Sequence, residues 1–311
     1  ARAAYIGGVA GTATVLSGKM FGIPISGTMA HSWVMYHESE YESFAAYARI
    51  YPDDTVLLID TYDVLKSGTP NAIRCAKEVL GPLGKRLKGV RLDSGDLAYL
   101  TKEVRKMLDT ADMEDCRIIA SNSLDEYSIS SIIDQGGCID AFGVGERLIT
   151  SKSDPVFGGV YKISAIEKGG VTIPKIKVSE AVEKITNPGR KMVYRIYDST
   201  GHATSDLITH EDEEVDLSGP YDVIDTHRPW RKVDLSGHTA RPLLKPIIVN
   251  GTRVSPQRSL TEIRDYVRMQ LRDEIWEEEQ RFENPHIHHM DMSIPYYEDK
   301  MELLSRCQSN R

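Results

Sequence analysis

Short apolar runs that stop at polar residues recur through the first half of the chain. Gly22-Ile23-Pro24-Ile25-Ser26-Gly27 runs into Thr28-Met29-Ala30-His31-Ser32, and Thr55-Val56-Leu57-Leu58-Ile59 into Asp60-Thr61-Tyr62-Asp63. Gly89-Val90-Arg91-Leu92 runs into Asp93-Ser94-Gly95-Asp96, and Arg117-Ile118-Ile119-Ala120 into Ser121-Asn122-Ser123. Cys138-Ile139-Asp140-Ala141-Phe142 ends at Gly143-Val144-Gly145-Glu146. Such runs predict buried parallel strands. Between them apolar residues fall at helical spacing, which predicts helices from Tyr41 to Ile50, over Asn71–Leu80, over Leu97–Leu108 and around Ile129, Ile132 and Ile133 up to Gly136-Gly137. Strand and helix alternate as α/β folds require, and right-handed crossovers send all the strand ends one way.

The pattern changes after Tyr161. Val193-Tyr194-Arg195-Ile196-Tyr197 alternates, and Lys168-Gly169-Gly170, Asn187-Pro188-Gly189, Ser199-Thr200-Gly201 and Asn250-Gly251 read as hairpin turns. Ser259 and Glu262 make a capping-box pair ahead of an amphipathic helix over Leu260–Phe282. The expected organisation is therefore an α/β catalytic domain over 1–160, a β-rich region over 161–258, and a C-terminal helix and tail over 259–311.

Composition narrows the class. A net charge of −8 over 311 residues argues against nucleic-acid or anionic-membrane partners. No apolar run approaches the roughly 20 residues that span a bilayer. Cys75, Cys116, Cys138 and Cys307 have no paired spacing and read as free thiols of a reducing cytoplasm. The chain opens at Ala1 inside an apolar segment with no Met, which reads as a fragment or a trimmed product.

The successive strand ends would present His31, Asp60, Arg91 with Asp93, Asn122, and Gly143 with Gly145 on one concave rim. Arg91 is a planar fork for carboxylate or phosphate. Asp93 can hold sugar hydroxyls or face a sugar carbon that becomes cationic. Ser94 and Gly95 offer donors to an anion at a helix start. Gly143-Val144-Gly145 suits close approach of backbone to phosphate, but it is neither a dinucleotide fingerprint nor a P-loop. Asp60 and Asp93 suit Mg²⁺ held by carboxylates plus substrate oxygens. Together these groups suit a phosphorylated sugar whose bond breaks with charge development. His31 reads either as a structural hydrogen-bonder or as an acid/base or a nucleophile toward phosphorus.

The motifs around Thr28–His31, Asp60–Asp63, Arg91–Asp96 and Gly143–Gly145, with Val160-Tyr161-Lys162 and Lys184–Lys191, closely resemble those of the nicotinate phosphoribosyltransferase family. The resemblance implies an irregular TIM-like phosphoribosyltransferase barrel and transfer from phosphoribosyl pyrophosphate to nicotinate, with Mg²⁺. It implies ATP hydrolysis coupled through a phosphohistidine at His31. It would set Thr28 and Arg91 against nicotinate, Asp93 and Ser94 against the ribose, and Asn122, Gly143, Gly145 and Glu146 at the phosphoribosyl phosphate. A homodimer with its site between subunits is also implied.

Three departures stand out. Glu146 replaces a common Thr, Thr12-Ala13-Thr14 replaces a Thr-Ser-Asn run, and the family's N-terminal part is absent. His286, His288 and His289 lack partners at zinc spacing, so no zinc is expected. The competing readings are a phosphoribosyltransferase for nicotinamide or quinolinate, and an inactive ligand-binding fragment.

Overall fold

In the computed structural model, which describes residues 1–181 and 184–309, four of the apolar runs of the first half become parallel strands. β1 (Val56–Leu58), β2 (Gly89–Leu92), β3 (Arg117–Ser121) and β4 (Ala141–Gly143) pair in that order, all parallel. Leu57, Leu58, Val90, Leu92, Ile118 and Ala120 are fully buried. The architecture is mixed α/β. The chain divides into two compact units, Ala1–Tyr5 with Val9–Phe157, and Ile6–Gly8 with Gly158–Arg311.

The helices of the first unit are α1 (Arg2–Ile6, which runs one residue beyond it), α2 (Val15–Phe21), α3 (His31–Tyr36), α4 (Glu40–Ile50), α5 (Thr69–Cys75), α6 (Leu97–Thr110), α7 (Glu126–Asp134) and α8 (Glu146–Ile149). The local logic is clearest in α6. Asp96 caps it by accepting the Tyr99 N–H at 3.0 Å, and Leu97, Ala98, Thr101, Val104 and Leu108 form its buried stripe. Burying Val104 and Leu108 contributes roughly 1.5–3 kcal/mol each. Before α5, Asp63 accepts from the Leu65 and Lys66 N–H groups and starts a wide turn over Val64–Gly68. A Cβ on Gly68 would stand 1.8 Å from the Ile59 carbonyl oxygen, so only glycine lets this turn pass so close to the end of β1.

Two expected strands differ from the reading. The 22–27 run makes a single parallel bridge, Ile25 with Thr12, because Pro24 has no N–H and offers only its carbonyl to Thr12. The 138–142 run pairs later, over Ala141–Gly143, because the Asp140 carboxylate takes the Ile118 N–H at 2.7 Å.

The second unit centres on a six-stranded sheet. Its members are β7 (Lys191–Tyr197), β8 (Ala203–His210), β9 (Asp222–Asp225), β10 (Lys232–Asp234), β11 (Thr239–Pro242) and β14 (His289–Ser293), in the order β10-β9-β14-β8-β7-β11. Two hairpins, β5 (Ala165–Lys168) with β6 (Val171–Pro174) and β12 (Ile248–Val249) with β13 (Thr252–Arg253), turn at Gly169-Gly170 and Asn250-Gly251. All four turn residues have positive φ, as the tight two-residue turns of a hairpin demand.

The C-terminal segment contributes α9 (Leu260–Asp273), β14 inside the sheet and α10 (Ile294–Ser309). α9 stops well short of Phe282. The Glu274 carboxylate is drawn to Arg241 at 2.7 and 2.8 Å and to the Tyr197 hydroxyl at 2.9 Å, and Gln280 donates to the Leu271 and Ile275 carbonyls. Asn187-Pro188-Gly189 is not a hairpin. Lys300 donates to Asn187 Oδ1 at 2.7 Å and the buried Tyr296 hydroxyl donates to Pro188 O at 2.8 Å, pinning it as irregular chain. Among the described residues no helix is long and apolar enough to cross a membrane.

Candidate active site

Parallel register puts one set of side chains on one face. Leu58 pairs with Arg91, Arg91 with Ile119, and Ile119 with Ala141. Side chains alternate along a strand, so Asp60, Asp93, Ser121 and Gly143, each two residues further on, continue that face at the carboxyl ends. His31 opens α3.

These residues form one hydrogen-bonded cluster. Asp60 is buried, and its Oδ2 accepts from the Asp93 N–H at 2.8 Å and from the Ser94 hydroxyl at 2.6 Å. Arg91 donates through Nε to Ser121 Oγ at 2.8 Å, through Nη1 to Thr28 Oγ1 at 2.8 Å and through Nη2 to Asp93 Oδ1 at 3.0 Å. Ser121 donates to the same Asp93 oxygen. His31 Nδ1 shares a hydrogen bond of 3.0 Å with Thr61 Oγ1, while its Nε2 stands 3.9 Å from Asp60 Oδ1 and 3.8 Å from Asp93 Oδ2. Those last distances are ion-pair contacts, too long for hydrogen bonds. The imidazole is 40% exposed, open to a reactant.

The electrostatics favour a charged Asp93. Burial pushes its carboxyl up. Hydrogen bonds from Ser121 and Arg91, with the positive charge of Arg91, outweigh that and hold it below the usual carboxylate range. Among the described residues Asp60 Oδ1 is a buried oxygen with no hydrogen-bond partner, left for a cation or a donor from outside. Among the described residues no group of three or more His, Cys, Asp or Glu side chains is arranged to hold a metal, so any cation here needs substrate oxygens to complete its shell. A depression of about 380 Å³ lined by Asp60, Tyr62, Lys66, Ser94 and Gly95 opens beside the acids.

The remaining candidates lie on the neighbouring loops. Asn122 is exposed at the end of β3 with φ 109°, a strained conformation for a residue with a side chain. Gly143 follows from the register, and a Cβ on it would stand 3.3 Å from that of Ser121. Gly145 has nothing within 4 Å of where its Cβ would point, and Glu146 is exposed in the first turn of α8.

A model of the nicotinate phosphoribosyltransferase (NAPRTase) family matches residues 2–195. The chain belongs to this family. A second model, the nicotinate phosphoribosyltransferase C-terminal domain, matches residues 190–300. The nicotinate phosphoribosyltransferase of Bacillus subtilis is 41% identical over 99% of this chain and 62% of its own length. The human nicotinate phosphoribosyltransferase is 30% identical over 86% of this chain and 59% of its own. Among solved structures, human nicotinic acid phosphoribosyltransferase matches with a TM-score of 0.78 at 26% identity, over 97% of this chain and 66% of that one. A nicotinate-nucleotide pyrophosphorylase from Pyrococcus furiosus matches with a TM-score of 0.61 at 28% identity, over 88% and 61%. The chain thus spans about three fifths of the length of these curated relatives.

Two members of this cluster escape the strand-end reading. Thr61 lies just past β1 and meets His31 across 30 positions of chain. Ser121 was legible in principle, because it is the polar residue of the same parity as Arg91 and Asp93 on the next strand. His288 serves elsewhere: its Nδ1 lies 3.0 Å from Glu279 and its Nε2 3.4 Å from Asp206, inside the second unit.

Proposed function

We propose that this protein transfers the phosphoribosyl group of phosphoribosyl pyrophosphate to nicotinate, giving nicotinate mononucleotide and pyrophosphate in NAD biosynthesis. The observation that carries this reading is the joined cluster of Arg91, Asp93, Asp60 and His31 at the strand ends of a chain of this family. Arg91, with Thr28 on its Nη1, faces the carboxylate of nicotinate. Asp93, held charged, faces the anomeric carbon as pyrophosphate departs and the ribose becomes oxocarbenium-like. Ser94 holds a ribose hydroxyl once it turns from Asp60. Asn122, Gly143, Gly145 and the first turn at Glu146 face the phosphate of the phosphoribosyl group.

Asp60 is the residue that would hold Mg²⁺, through the unpartnered Oδ1. A bound Mg²⁺ would neutralise charge on the pyrophosphate. His31 attacks the γ-phosphorus of ATP through a ring nitrogen, forming an N–P bond as the P–O bond to ADP breaks. Hydrolysis of the phosphohistidine drives the transfer forward if the two forms bind substrates and products with different affinity.

The parallel sheet is read as an arc of the TIM-like barrel, supported by the likeness to human nicotinic acid phosphoribosyltransferase. Exposed Val15, Leu16 and Met20 on α2 support pairing with a second copy as a homodimer. Four unpaired cysteines favour the cytoplasm. Burial pushes Cys75 up to about 11 and Cys116 up to about 12, so neither is a reactive thiolate.

The test is direct. The protein is incubated with phosphoribosyl pyrophosphate, Mg²⁺ and each of nicotinate, nicotinamide and quinolinate, with and without ATP, and nucleotide products are separated. Nicotinate mononucleotide, made faster with ATP, is expected. With γ-labelled ATP, an acid-labile, base-stable label on wild type and none on His31→Asn is expected. Preference for an uncharged base, or tight phosphoribosyl pyrophosphate binding with no turnover, would overturn the reading.

A further inference from the structure

We propose that Ser121 is a positioning residue of this site: its hydroxyl couples Arg91 to Asp93, so that the cation meeting the base and the acid facing the ribose are held as one rigid pair. The inference rests on the roles of Arg91 and Asp93 proposed above.

A hydroxyl has one proton and two lone pairs, and Ser121 uses both kinds of capacity inside the cluster. It accepts from Arg91 Nε at 2.8 Å and donates to Asp93 Oδ1, while the Leu92 carbonyl, at 3.4 Å, is the more distant acceptor. Arg91 has five N–H groups. Nε is held by Ser121, one N–H of Nη1 by Thr28 and one of Nη2 by Asp93. One N–H on each terminal nitrogen remains, the number that a carboxylate takes in a bidentate contact.

Thr28 and Asp93 alone would leave the guanidinium free to tip about its terminal nitrogens. The Nε contact fixes its plane. Ser121 is only 7% exposed, so water competes little for its hydroxyl. The absence of a side chain on Gly143 leaves room for it, since a Cβ there would come within 3.3 Å. Ser121 acts through its two neighbours rather than on the reacting atoms.

The experiment compares wild type with Ser121→Ala in the full chain. The ¹⁵Nε–¹Hε signal of Arg91, assigned by its loss in Arg91→Lys, is expected to exchange with water at least tenfold faster in Ser121→Ala. Nicotinate affinity by calorimetry should fall about tenfold, the loss expected for one hydrogen bond to a charged group. Nicotinamide affinity should not change, since it lacks the carboxylate. In an Arg91→Ala background, Ser121→Ala should cost no further nicotinate affinity. Ser121→Cys keeps the volume with weaker hydrogen bonds, and it reads the same way if the alanine variant does not fold. Unchanged Arg91 exchange, equal losses for both bases, or additive losses in the double variant would overturn the proposal. If wild type binds no nicotinate, the functional reading fails, and the Arg91 exchange rate alone still decides whether Ser121 positions the guanidinium.

Discussion

Each unit sets a histidine between two carboxylates, and the two clusters differ in how completely they close. In the first unit His31 Nε2 stands 3.9 and 3.8 Å from Asp60 and Asp93, and its ring is 40% exposed. In the second, His288 lies 3.0 Å from Glu279 and 3.4 Å from Asp206, and Arg195 donates twice to the same Asp206. The Asp206–His288 group is knit by ion pairs among its own members, although His288 Nε2 makes no hydrogen bond among the described residues, while the His31 group keeps a buried carboxylate oxygen and two guanidinium N–H groups uncommitted. A polar cluster that satisfies itself stabilises a fold. One that stops short offers its remaining valence to a reactant.

The largest expected effect tests the open cluster. Asp93→Asn removes the charge that faces the ribose while keeping its shape. Turnover should fall on the order of 10²–10³-fold, the usual effect of deleting one group that stabilises transition-state charge. The thermal unfolding midpoint should move little, because the site was not built to hold the fold. Steady-state rates beside calorimetry check both halves. A variant that melts early yet turns over normally would invert the assignment.

The closed cluster makes the opposite prediction. His288→Ala leaves Asp206 and Glu279 without their shared partner, which should destabilise the second unit by about 2 kcal/mol with no change in turnover per folded molecule. It also carries a pH signature. The Asp206 carboxylate, then that of Glu279, raise His288 above its usual 6.5 against the opposing effect of burial. That contribution is fully present below pH 6.5 and is lost as pH rises through the raised value. For Asp206, burial pushes up, but His288 and Arg195 outweigh it and hold the carboxyl down to about 2. Its contribution is present above 3.8 and fades as pH falls toward that value. These two groups therefore add no slope to the unfolding midpoint between about 3.8 and 6.5, and each adds a decline on its own side. His288→Gln should remove the alkaline decline and shrink the acidic one, since Asp206 then keeps only Arg195 to hold its carboxyl down.

The comparison also explains what could be read in advance. Val90 and Leu92 alternate with Arg91 in a run short enough to be only a strand, so β2 and its polar end at Asp93 were visible. The links between strand ends were not, because the contacts of Arg91 with Thr28 and of Asp60 with Ser94 span 63 and 34 positions. β14 was invisible for a different reason. His289-Met290-Asp291-Met292-Ser293 has the composition of a loop, yet Asp291 is 3% exposed in the middle of a sheet, where burial pushes its carboxyl up. No pattern of apolar residues reports a strand whose buried positions include an acid. Helix α9 was visible at its capped start and hidden at its end, which Glu274 sets through partners on two other strands.

The smallest effect sharpens the comparison where the two units use the same local device. Each has a capping box: Asp125 with Ser128 starts α7, and Ser259 with Glu262 starts α9. Ser259→Ala should lower the unfolding midpoint by roughly 2–4 °C and leave kinetics alone, since that turn carries none of the residues of the His31 cluster. Asp125 does more. The Ser128 backbone N–H, then its hydroxyl, with Arg147, hold the Asp125 carboxyl down to about 2, and the Arg147 contact joins α7 to the short α8 that follows the Gly143–Gly145 elbow. Asn122 and Ser123, both at positive φ, lie just before this cap. Asp125→Ala should therefore raise KM for phosphoribosyl pyrophosphate a few-fold at constant kcat, because the loops on either side lose a shared anchor. Asp125→Asn, which keeps the cap acceptor but weakens the Arg147 contact, should fall between. Equal, purely thermal effects of Ser259→Ala and Asp125→Ala would mean that the elbow is held by something other than this ion pair.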